Sequence, residues 1–548
     1  MSEYELTPLD HLYRWEQDQP DRVYLRQPRN RQWREYTWKE VADTARRMAA
    51  ALQGQGVEKG SRVAILSKNC AEWIIADLAI MMSGAISVPL YPMQSDDAVS
   101  YVLEHSGASV IFVGKLDNSP QVRAMLPDSI TQIGFNYEGT KADLMWDDLV
   151  RKYEPTTKPY HPELDDTFTI VYTSGTTGNP KGVVHDFRSA TFVAVNGIKE
   201  FGLSTEDRSL SFLPLAHVAE RVLVEIPSIY GGMVVSFAES LDTFAEDIRL
   251  VEPTRFFSVP RLWTKFQMGI LEKVPQEKLD KILGIPLLGW FVKRKIRKGL
   301  GLHKADMFIS GAAPLPVSVM EFFSRLGINI QEGYGMTENW AYGSINRRED
   351  IRVGSVGQLM TGGEVKISDD GEILLRSPAT MKGYYLDDEK TAEVICDEGY
   401  YHTGDAGEVC SDGFIKITGR IKDTFKTSKG EFITPTIIEN LLSQNTSIEQ
   451  LCIVGLGMPQ PMALVVLSEH ARSRPKAEVT KELEATHKEV NAKLKSHEVI
   501  NGMIVVKGEW SPEDGFMTPT LKVKRNEVFS HYKDILEKNA ESKAVVWE

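Results

Sequence analysis

The sequence predicts an α/β fold: a large N-terminal domain of parallel and mixed sheets covered by helices, followed by a small α+β domain. At 548 residues the chain is too long for a single hydrophobic core. Strand-like and helix-like segments alternate over most of its length. After Arg420 the pattern changes to short strands and one charged helical segment. We therefore predict domains at residues 1–420 and 421–548.

The clearest alternation lies between residues 62 and 113. Strand-like and helix-like segments follow one another there at residues 62–66, 71–83, 85–89, 96–105 and 109–113. This order, with short connections, predicts parallel strands covered by helices. The pattern recurs at residues 208–237 and 253–330. In the C-terminal part, residues 451–456, 463–467 and 503–507 are strand-like and residues 476–495 are helix-like.

Composition and charge narrow the functional classes. The chain is 42% hydrophobic and 25% charged, as ordinary globular proteins are, and its net charge of −13 argues against general binding of nucleic acid. Its four cysteines form no CxxC pair, so neither structural zinc nor a disulfide framework is predicted. The first residues lack the pattern of a signal peptide, and we expect a cytoplasmic protein.

One basic segment has two interpretations. Residues 286–291 are mostly apolar, and residues 293–298 carry five cations. The favoured interpretation is a solvated helix face. Aromatic side chains beside cations also suit a helix that lies on a membrane, so peripheral contact at the inner membrane surface is the alternative.

The most informative segment is the loop Tyr-Thr-Ser-Gly-Thr-Thr-Gly-Asn-Pro-Lys-Gly at residues 172–182. It follows a strand-like run and precedes a helix-like run. Glycines let backbone N–H groups point inward, and hydroxyls and Lys181 add donors, so the loop can wrap a polyphosphate. It is not a Walker A loop, because Pro180 precedes the lysine and Gly182 follows it. A P-loop NTPase is therefore disfavoured.

Four further motifs contribute chemical groups. The small residues 311–314 follow a strand-like run and leave room for a flat ligand. In residues 332–338 an aromatic ring lies between two glycines and precedes a hydroxyl and a carboxylate, which suits a base, a phosphate and Mg²⁺. Asp405 follows a predicted tight turn and can accept the hydroxyls of a ribose. Residues 518–525 add lysines near the C-terminus.

In order and separation these motifs resemble those of the adenylate-forming superfamily, which includes acyl-CoA synthetases, carrier-protein adenylation domains and firefly luciferase. The resemblance extends from about residue 60 to residue 528. It implies the adenylate-forming enzyme fold and a nucleotide site. That site comprises Thr173, Ser174, Gly175, Thr176, Thr177, Gly178, Lys181, Gly311, Ala312, Ala313, Glu332, Gly333, Tyr334, Gly335, Met336, Thr337, Asp405, Arg420 and Lys522.

The resemblance also implies individual roles. Lys522, Glu338 and Thr173 are the catalytic candidates; Lys524 is the alternative lysine, and Glu338 is the magnesium ligand. Leu521 stands where the family usually has glycine before its lysine. The other assignments are Lys422 at the hinge, Lys429 and Gly430 at the CoA channel, and His217 and Trp340 in the acyl pocket. The large indole of Trp340 is expected to shorten or redirect that pocket.

The implied activity is ATP- and Mg²⁺-dependent activation of a carboxylic acid through an acyl-adenylate, followed by transfer to CoA. Residues 213–217 and 259–263 resemble stretches of long-chain fatty acyl-CoA synthetases, so a medium- to long-chain fatty acid is the leading substrate. One alternative is a ligase that loads the phosphopantetheine of a carrier protein. The other is a non-catalytic nucleotide-binding scaffold, which the intact charged residues disfavour.

Overall fold

The computed structural model describes residues 2–117, 126–173, 179–518 and 522–548. Its largest sheet has eight strands, which lie in the order Gly383–Tyr384, Lys181–Asp186, Thr167–Thr173, Ile86–Leu90, Arg62–Ser67, Val110–Gly114, Thr131–Gly134 and Leu144–Met145. The six strands between residues 62 and 173 are parallel to one another, and the other two are antiparallel to their neighbours. The predicted parallel strands between residues 62 and 113 are therefore confirmed.

The helix Ala71–Met82 is buried along its whole length, as its apolar sequence predicts. It contains two carboxylates, and both are buried with an arginine partner. Glu72 pairs with Arg29, and Asp77 pairs with Arg221. Buried charges need such partners, because an isolated charge in the core is very costly.

Three smaller sheets complete the part of the chain before residue 421. One has five strands, Arg255–Ser258, Met307–Ser310, Ile330–Tyr334, Ser344–Ile345 and Gln358–Leu359, of which the first three are parallel. The second has the order Arg208–Ser211, Val234–Phe237, Val23–Arg29 and Gln32–Thr37. The third is antiparallel and consists of Glu364–Ile367, Glu372–Arg376, Tyr401–Val409 and Ile415–Arg420.

Helices surround these sheets, and none in the described ranges combines the length and apolarity needed to cross a bilayer. The α-helices are Pro8–Asp18, Trp38–Gly54, Ala71–Met82, Asp96–Ser106, Trp146–Lys152, Phe187–Phe201, Val218–Glu220, Ile226–Gly231, Phe244–Val251, Pro260–Lys273, Gln276–Leu283, Pro286–Gly299, Val317–Arg325 and Asp388–Val394. Short 3₁₀ turns lie at Glu3–Glu5 and Thr337–Asn339, and a π-helical turn lies at Arg221–Glu225.

The residues after 420, here called the C-terminal lobe, form a mixed sheet and a hairpin. The sheet has the order Ile448–Val454, Met462–Leu467, Met503–Val506 and Val545–Trp547, and the hairpin pairs Phe425–Lys426 with Phe432–Ile433. Helices occupy Pro435–Leu442, Glu469–Arg472, Lys476–Asn491, Arg525–His531 and Lys533–Lys538. The first strand begins three residues before its predicted start, because Ile448 already pairs with Leu467.

The hydrophobic clusters separate at the same place in the sequence. Among the described residues, each cluster draws its members either from residues before 420 or from residues after it. The two parts meet through polar contacts that include the ion pair Arg261–Glu449, in which nitrogen and oxygen are 3.0 Å apart. The two parts therefore share no hydrophobic cluster among the described residues.

Candidate active site

The predicted phosphate loop is carried by a β-hairpin. Thr173 and Lys181 are paired across antiparallel strands, and the loop connects them. The expectation that a helix follows the loop is wrong: the strand Lys181–Asp186 follows it, and the helix begins at Phe187. That strand is hydrogen-bonded on both sides, which stabilises it as a strand. Five predicted residues, Ser174, Gly175, Thr176, Thr177 and Gly178, lie outside the described residues.

Lys181 is the first residue of the second strand of this hairpin. Its Nζ lies 5.2 Å from the centre of the Tyr384 ring, within the range of a cation–π contact. Burial, and then the neighbouring cations Lys390 and Lys422, lower the pKa of Lys181. The next residue, Gly182, lies so close to the neighbouring strand that a Cβ would be 2.7 Å from the side chain of Ile170. The glycine therefore permits the close strand pairing that positions the lysine.

Tyr384 also contacts the predicted magnesium ligand. Its hydroxyl donates a hydrogen bond of 2.9 Å to Oε1 of Glu338, while its ring faces Lys181. The backbone of Glu338 is fixed as well, since its carbonyl accepts the N–H of Met381 at 2.7 Å. Sequence reasoning missed Tyr384, whose only signal was a glycine–tyrosine pair at residues 383–384. The Tyr384 side chain thus contacts both Lys181 and the Glu338 carboxylate.

The small-residue motif and the Tyr334 motif emerge side by side. Their strands, Met307–Ser310 and Ile330–Tyr334, are parallel neighbours. Ala312 has a left-handed backbone with φ of 69°, and Ala312 and Ala313 are exposed. The predicted residues in these two segments are Gly311, Ala312, Ala313, Glu332, Gly333, Tyr334, Gly335, Met336 and Thr337. The solvent-accessible parts of these two segments lie side by side and offer a surface to which a flat ring could bind.

Glu332 lies beneath this surface rather than on it. Its Oε1 accepts the backbone N–H of Leu315 at 3.0 Å. Burial raises the pKa of this carboxyl to about 7. The Glu332 side chain therefore ties the turn after Ala313 to the neighbouring strand.

Tyr334, Asp405 and Arg420 form a hydrogen-bonded group. The Tyr334 hydroxyl donates to Oδ2 of Asp405 at 2.7 Å, and Nε of Arg420 lies 2.9 Å from Oδ1. Asp405 and Arg420 are directly paired across antiparallel strands. The predicted turn before Asp405 is wrong, because Asp405 lies within the strand Tyr401–Val409. Gly404 has the positive φ expected of a turn, 71°, but it forms a local irregularity in that strand.

Lys522 approaches this group from the C-terminal lobe. Its carbonyl accepts the N–H of Thr518 at 2.8 Å, and its own N–H donates to the Thr518 hydroxyl at 3.1 Å. Burial and then Arg420 lower the pKa of Lys522, whereas Asp405 and Glu338 oppose that change. The residue as a whole is nevertheless exposed to solvent. Lys524, the alternative lysine, precedes the helix Arg525–His531 as its N-cap.

His217 lies close enough to Lys522 for the lysine charge to affect its pKa. Its Nδ1 accepts the backbone N–H of Ala219 at 3.1 Å, and its ring meets Tyr91 edge to face. Burial, and then the charge of Lys522, lower the pKa of His217 to about 4. The imidazole is therefore neutral at physiological pH, which suits contact with an apolar ligand.

Trp340 is packed into the main hydrophobic cluster. Its indole N–H donates to the Ser189 hydroxyl at 3.0 Å, and its rings lie against Phe168 and His185. Sequence reasoning missed His185, whose Nε2 lies 2.7 Å from the carbonyl of Thr337. Burial lowers the pKa of His185 to about 3. The neutral ring donates to that carbonyl and fixes the turn that carries Glu338.

The remaining predicted residues lie on the C-terminal lobe surface. Lys422 is exposed, yet close enough to Lys181 to lower its pKa. Lys429 and Gly430 occupy the exposed turn of the hairpin Phe425–Lys426 and Phe432–Ile433, where Gly430 has φ of 85°. The structure places this turn on the surface and does not bring it into hydrogen-bonded contact with the charged groups, as far as the described residues show.

Charged groups from separate parts of the sequence therefore converge on one cleft. Lys181 lies close enough to Glu338 for their charges to interact, and Arg420 interacts in the same way with Asp405 and Glu338. Lys522 interacts with Arg420, Asp405 and Glu338. Lys181 also lies near two further cations, Lys390 and Lys422. Carboxylates lie beside the surface formed by the Tyr334 segment. This arrangement can bind a nucleotide with its phosphates toward the lysines.

Comparisons with known proteins show which family the chain belongs to. The family model described as AMP-binding enzyme matches residues 12–385, and the model described as AMP-binding enzyme C-terminal domain matches residues 422–543. Long chain acyl-CoA synthetase 7, peroxisomal, of Arabidopsis thaliana is 30% identical over 92% of this chain and 82% of its own length. Long-chain-fatty-acid–CoA ligase FadD15 of Mycobacterium bovis is 29% identical over 96% of both chains.

Solved structures share the fold. The anthranilate CoA ligase AuaEII in complex with anthranoyl-AMP superposes with a TM-score of 0.80 at 23% identity, covering 97% of this chain and 98% of that one. The adenylation domain of a carboxylate reductase from Mycobacterium chelonae gives a TM-score of 0.82 at 22% identity, with 97% and 91% covered. The adenylate-forming enzyme fold is thus confirmed, and the chain belongs to the AMP-binding enzyme family.

Proposed function

We propose that this protein is an AMP-forming acyl-CoA synthetase that activates a medium- to long-chain fatty acid with ATP and transfers the acyl group to CoA. The observation that carries the proposal is the convergence of Lys181, Glu338, Asp405, Arg420 and Lys522 on one cleft. The relatives named above as long-chain acyl-CoA synthetases and ligases support the substrate class.

The proposed nucleotide site uses both walls of the cleft. Asp405 and Arg420 bind the ribose, since the carboxylate is already oriented by two hydrogen-bond partners. Residues 311–313 and 332–337 border the adenine. The loop from Thr173 to Lys181 binds the β- and γ-phosphates, with Thr173 and Lys181 fixed at its base by strand pairing.

Glu338 is suited to hold Mg²⁺. Its carboxylate is half-exposed and oriented by Tyr384. Within the described ranges, no group of three or more His, Cys, Asp or Glu side chains is placed to hold a metal ion. Mg²⁺ needs no such group, because it commonly binds through one or two carboxylates plus substrate phosphates and water. When bound, the ion neutralises phosphate charge.

In the first half-reaction a carboxylate oxygen of the fatty acid attacks the α-phosphorus, and the bond to pyrophosphate breaks. Negative charge accumulates around the phosphorus, and Lys522 is positioned to stabilise it from the C-terminal lobe. In the second half-reaction the CoA thiolate attacks the acyl carbonyl carbon and AMP leaves. Removing one preorganised donor of this kind typically costs about 10²–10³ in rate.

In the proposed acyl pocket, His217 lies beside the acyl chain and Trp340 shortens or redirects the path of that chain. Both groups present neutral rings, and the Trp340 indole is immobilised by Ser189 and the surrounding aromatic rings. A fixed indole limits the depth of the pocket, because displacing it would break a buried hydrogen bond. This supports a defined upper limit on acyl chain length.

The proposal includes two domains, residues 1–420 and 421–548, with Lys422 as the hinge. The separate hydrophobic clusters and the exposed position of Lys422 support this division. Rotation about the hinge would withdraw Lys522 after adenylation. We assign the exposed turn with Lys429 and Gly430 to the CoA channel that this rotation would complete.

The decisive test is AMP release with ATP, Mg²⁺ and CoA across straight-chain acids from acetate to oleate, with aromatic acids included. We expect the highest kcat/KM for medium to long chains. Preference for an aromatic acid would contradict the substrate assignment. Activity with a phosphopantetheinyl carrier but not with CoA would favour the carrier-loading alternative, and absence of acid-dependent ATP–pyrophosphate exchange would favour a scaffold.

Tyr384→Phe is expected to weaken productive binding of Mg-ATP. The substitution keeps the ring beside Lys181 but removes the hydroxyl that orients Glu338. A hydrogen bond to a charged group contributes about 1.5–3 kcal/mol, so kcat/KM for ATP should fall roughly tenfold to a hundredfold. Higher Mg²⁺ should recover part of the loss. Tyr385→Phe is the matched control; equal kinetics for the two variants would refute the role of Tyr384.

A further inference from the structure

We infer that the helix Pro286–Gly299, here called the basic helix, docks the protein on an anionic lipid surface. The inference concerns a surface apart from the cleft, and it does not depend on which acid the enzyme activates. The segment was ambiguous in the sequence, where a solvated face was the favoured interpretation. The exposure of individual side chains decides between the two.

Large apolar side chains are exposed at the start of the basic helix and just before it. Leu287 is 86% exposed, Trp290 60% and Phe291 59%. Ile285 and Leu288 are exposed as well. A solvated helix face would carry polar residues at these positions. Contiguous apolar patches on soluble proteins usually mark interaction sites.

The second half of the same helix exposes cations. Arg294, Lys295 and Lys298 are exposed, and the guanidinium of Arg294 lies 5.6 Å from the centre of the Trp290 ring. Considering the described residues only, none of these three cations has a carboxylate partner within 4.0 Å. Their charge is therefore available to an external anion.

The inner face of the helix is fixed, so the outer face is a rigid surface. Gly289 packs so closely on the preceding helix that a Cβ would be 2.8 Å from the carbonyl oxygen of Leu283. Val292 and Ile296 pack against the hydrophobic cluster beneath. The exposed apolar residues therefore cannot be buried by a simple rotation of the helix.

The spacing of the two exposed groups suits a membrane interface. At 1.5 Å per residue, the apolar group and the cationic group are separated by about one to two helical turns. Interfacial helices bury apolar side chains roughly 5–10 Å deep, while their cations remain at the phosphates. Trp290 and Phe291 would enter the acyl region, and Arg294, Lys295 and Lys298 would meet the headgroups.

Charge fixes the orientation of the protein on the membrane. The whole chain carries a net charge of −13, which anionic lipid repels. The cations of the basic helix make the charge positive at this part of the surface. They act over a distance comparable to the Debye length, about 8 Å at physiological salt. Docking through this helix is therefore favoured over docking through other faces.

A second copy of the chain is a poorer occupant of this surface. The helix contains no acidic residue, so the same face of another copy would offer its cations no partner. Burying three unpaired cations in such a contact would be costly. Anionic lipid provides both the apolar region and the counter-charge.

The test is co-sedimentation of the full-length protein with vesicles of phosphatidylcholine alone or with 30–40% phosphatidylglycerol, a proportion of roughly one anion in three lipids that maintains a strongly negative surface. We expect binding to the anionic vesicles that weakens as salt increases. Arg294→Gln/Lys295→Gln/Lys298→Gln should lower the partition coefficient about 100-fold. Leu287→Ser/Phe291→Ser should lower it at least tenfold.

Matched controls separate the helix from general surface effects. Leu241→Ser removes a leucine that is 83% exposed elsewhere, and Lys538→Gln removes an exposed cation; both should bind as the unmodified protein does. Equal binding to both vesicle types, or unchanged binding by the helix variants, would overturn the inference. So would a wild-type dimer that ignores vesicles and becomes monomeric in the Leu287→Ser/Phe291→Ser variant.

Discussion

Lys522→Ala is expected to abolish adenylation while leaving thioester formation from supplied acyl-adenylate largely intact. In the conformation described here, Lys522 faces Arg420, Asp405 and Glu338 across the cleft. Its cation would therefore stabilise charge at the α-phosphate, and its loss should slow ATP–pyrophosphate exchange by about 10²–10³ or more. Thioester formation does not require the Lys522 cation if the C-terminal lobe has rotated away from the nucleotide site. Exchange and CoA consumption are measured on the same preparation.

Lys524→Ala provides the control for this comparison. Lys524 is two residues away, at the N-cap position of the helix Arg525–His531, where its side chain makes no capping hydrogen bond. We expect it to retain exchange within a fewfold of the unmodified protein. If both half-reactions fall equally in Lys522→Ala, the lysine contributes to both steps and the alternating arrangement is wrong. If only Lys524→Ala loses ATP–pyrophosphate exchange, the catalytic lysine is Lys524 rather than Lys522.

The fold was predictable because local sequence patterns and the tertiary structure agree. The segments between residues 62 and 113 alternate in hydrophobicity and have glycines where helices end, and each became the expected strand or helix. The helix Ala71–Met82 has no polar face, which leaves burial as its only stable position. Such signals are contained within a dozen residues, so they do not require knowledge of the partners.

The site was harder to predict where a role depends on partners distant in sequence. Tyr384 acts on Glu338 across 46 residues, and His185 contacts Thr337 across 152. The helix expected after the phosphate loop also failed, because pairing of Lys181–Asp186 with two strands outweighed its local preference. Sequence motifs identified groups that bear charge, but they did not identify the neutral side chains that orient them.

The buried ionic cluster around Arg221 also depends on partners that are distant in sequence. We expect its loss to affect the stability of the fold strongly. Arg221 is completely buried, with Nη2 2.6 Å from Asp77 and Nε 2.8 Å from Glu225. Its third nitrogen donates to the hydroxyl of Thr169 at 2.9 Å. The arginine lies at the start of the π-helical turn Arg221–Glu225, a local irregularity that its sequence does not announce.

Arg221→Met is therefore expected to lower the free energy of unfolding by about 3–5 kcal/mol, because it leaves two buried carboxyl groups without a cation. Denaturant midpoints measure the loss. Arg188→Met, which breaks an exposed ion pair with Asp165, should cost less than about 1 kcal/mol. A combined Arg221→Met/Asp77→Asn/Glu225→Gln variant should recover much of the stability. No recovery would mean that packing, rather than charge, explains the loss.

The pH dependence of the free energy of unfolding provides an independent check on whether Arg221 stabilises the charge of Glu225. Burial raises the pKa of Glu225 above its value in the unfolded chain, and the charge of Arg221 opposes that rise. A raised carboxyl pKa contributes stability that is present at low pH and is lost as the pH increases through the folded value. Removing Arg221 raises the folded pKa of Glu225 further, so the variant should continue to lose stability at a pH where the unmodified protein no longer loses any through this group. If the difference in stability between the two proteins narrows as the pH increases, Glu225 is not the titrating group and the cation of Arg221 is not what stabilises its charge.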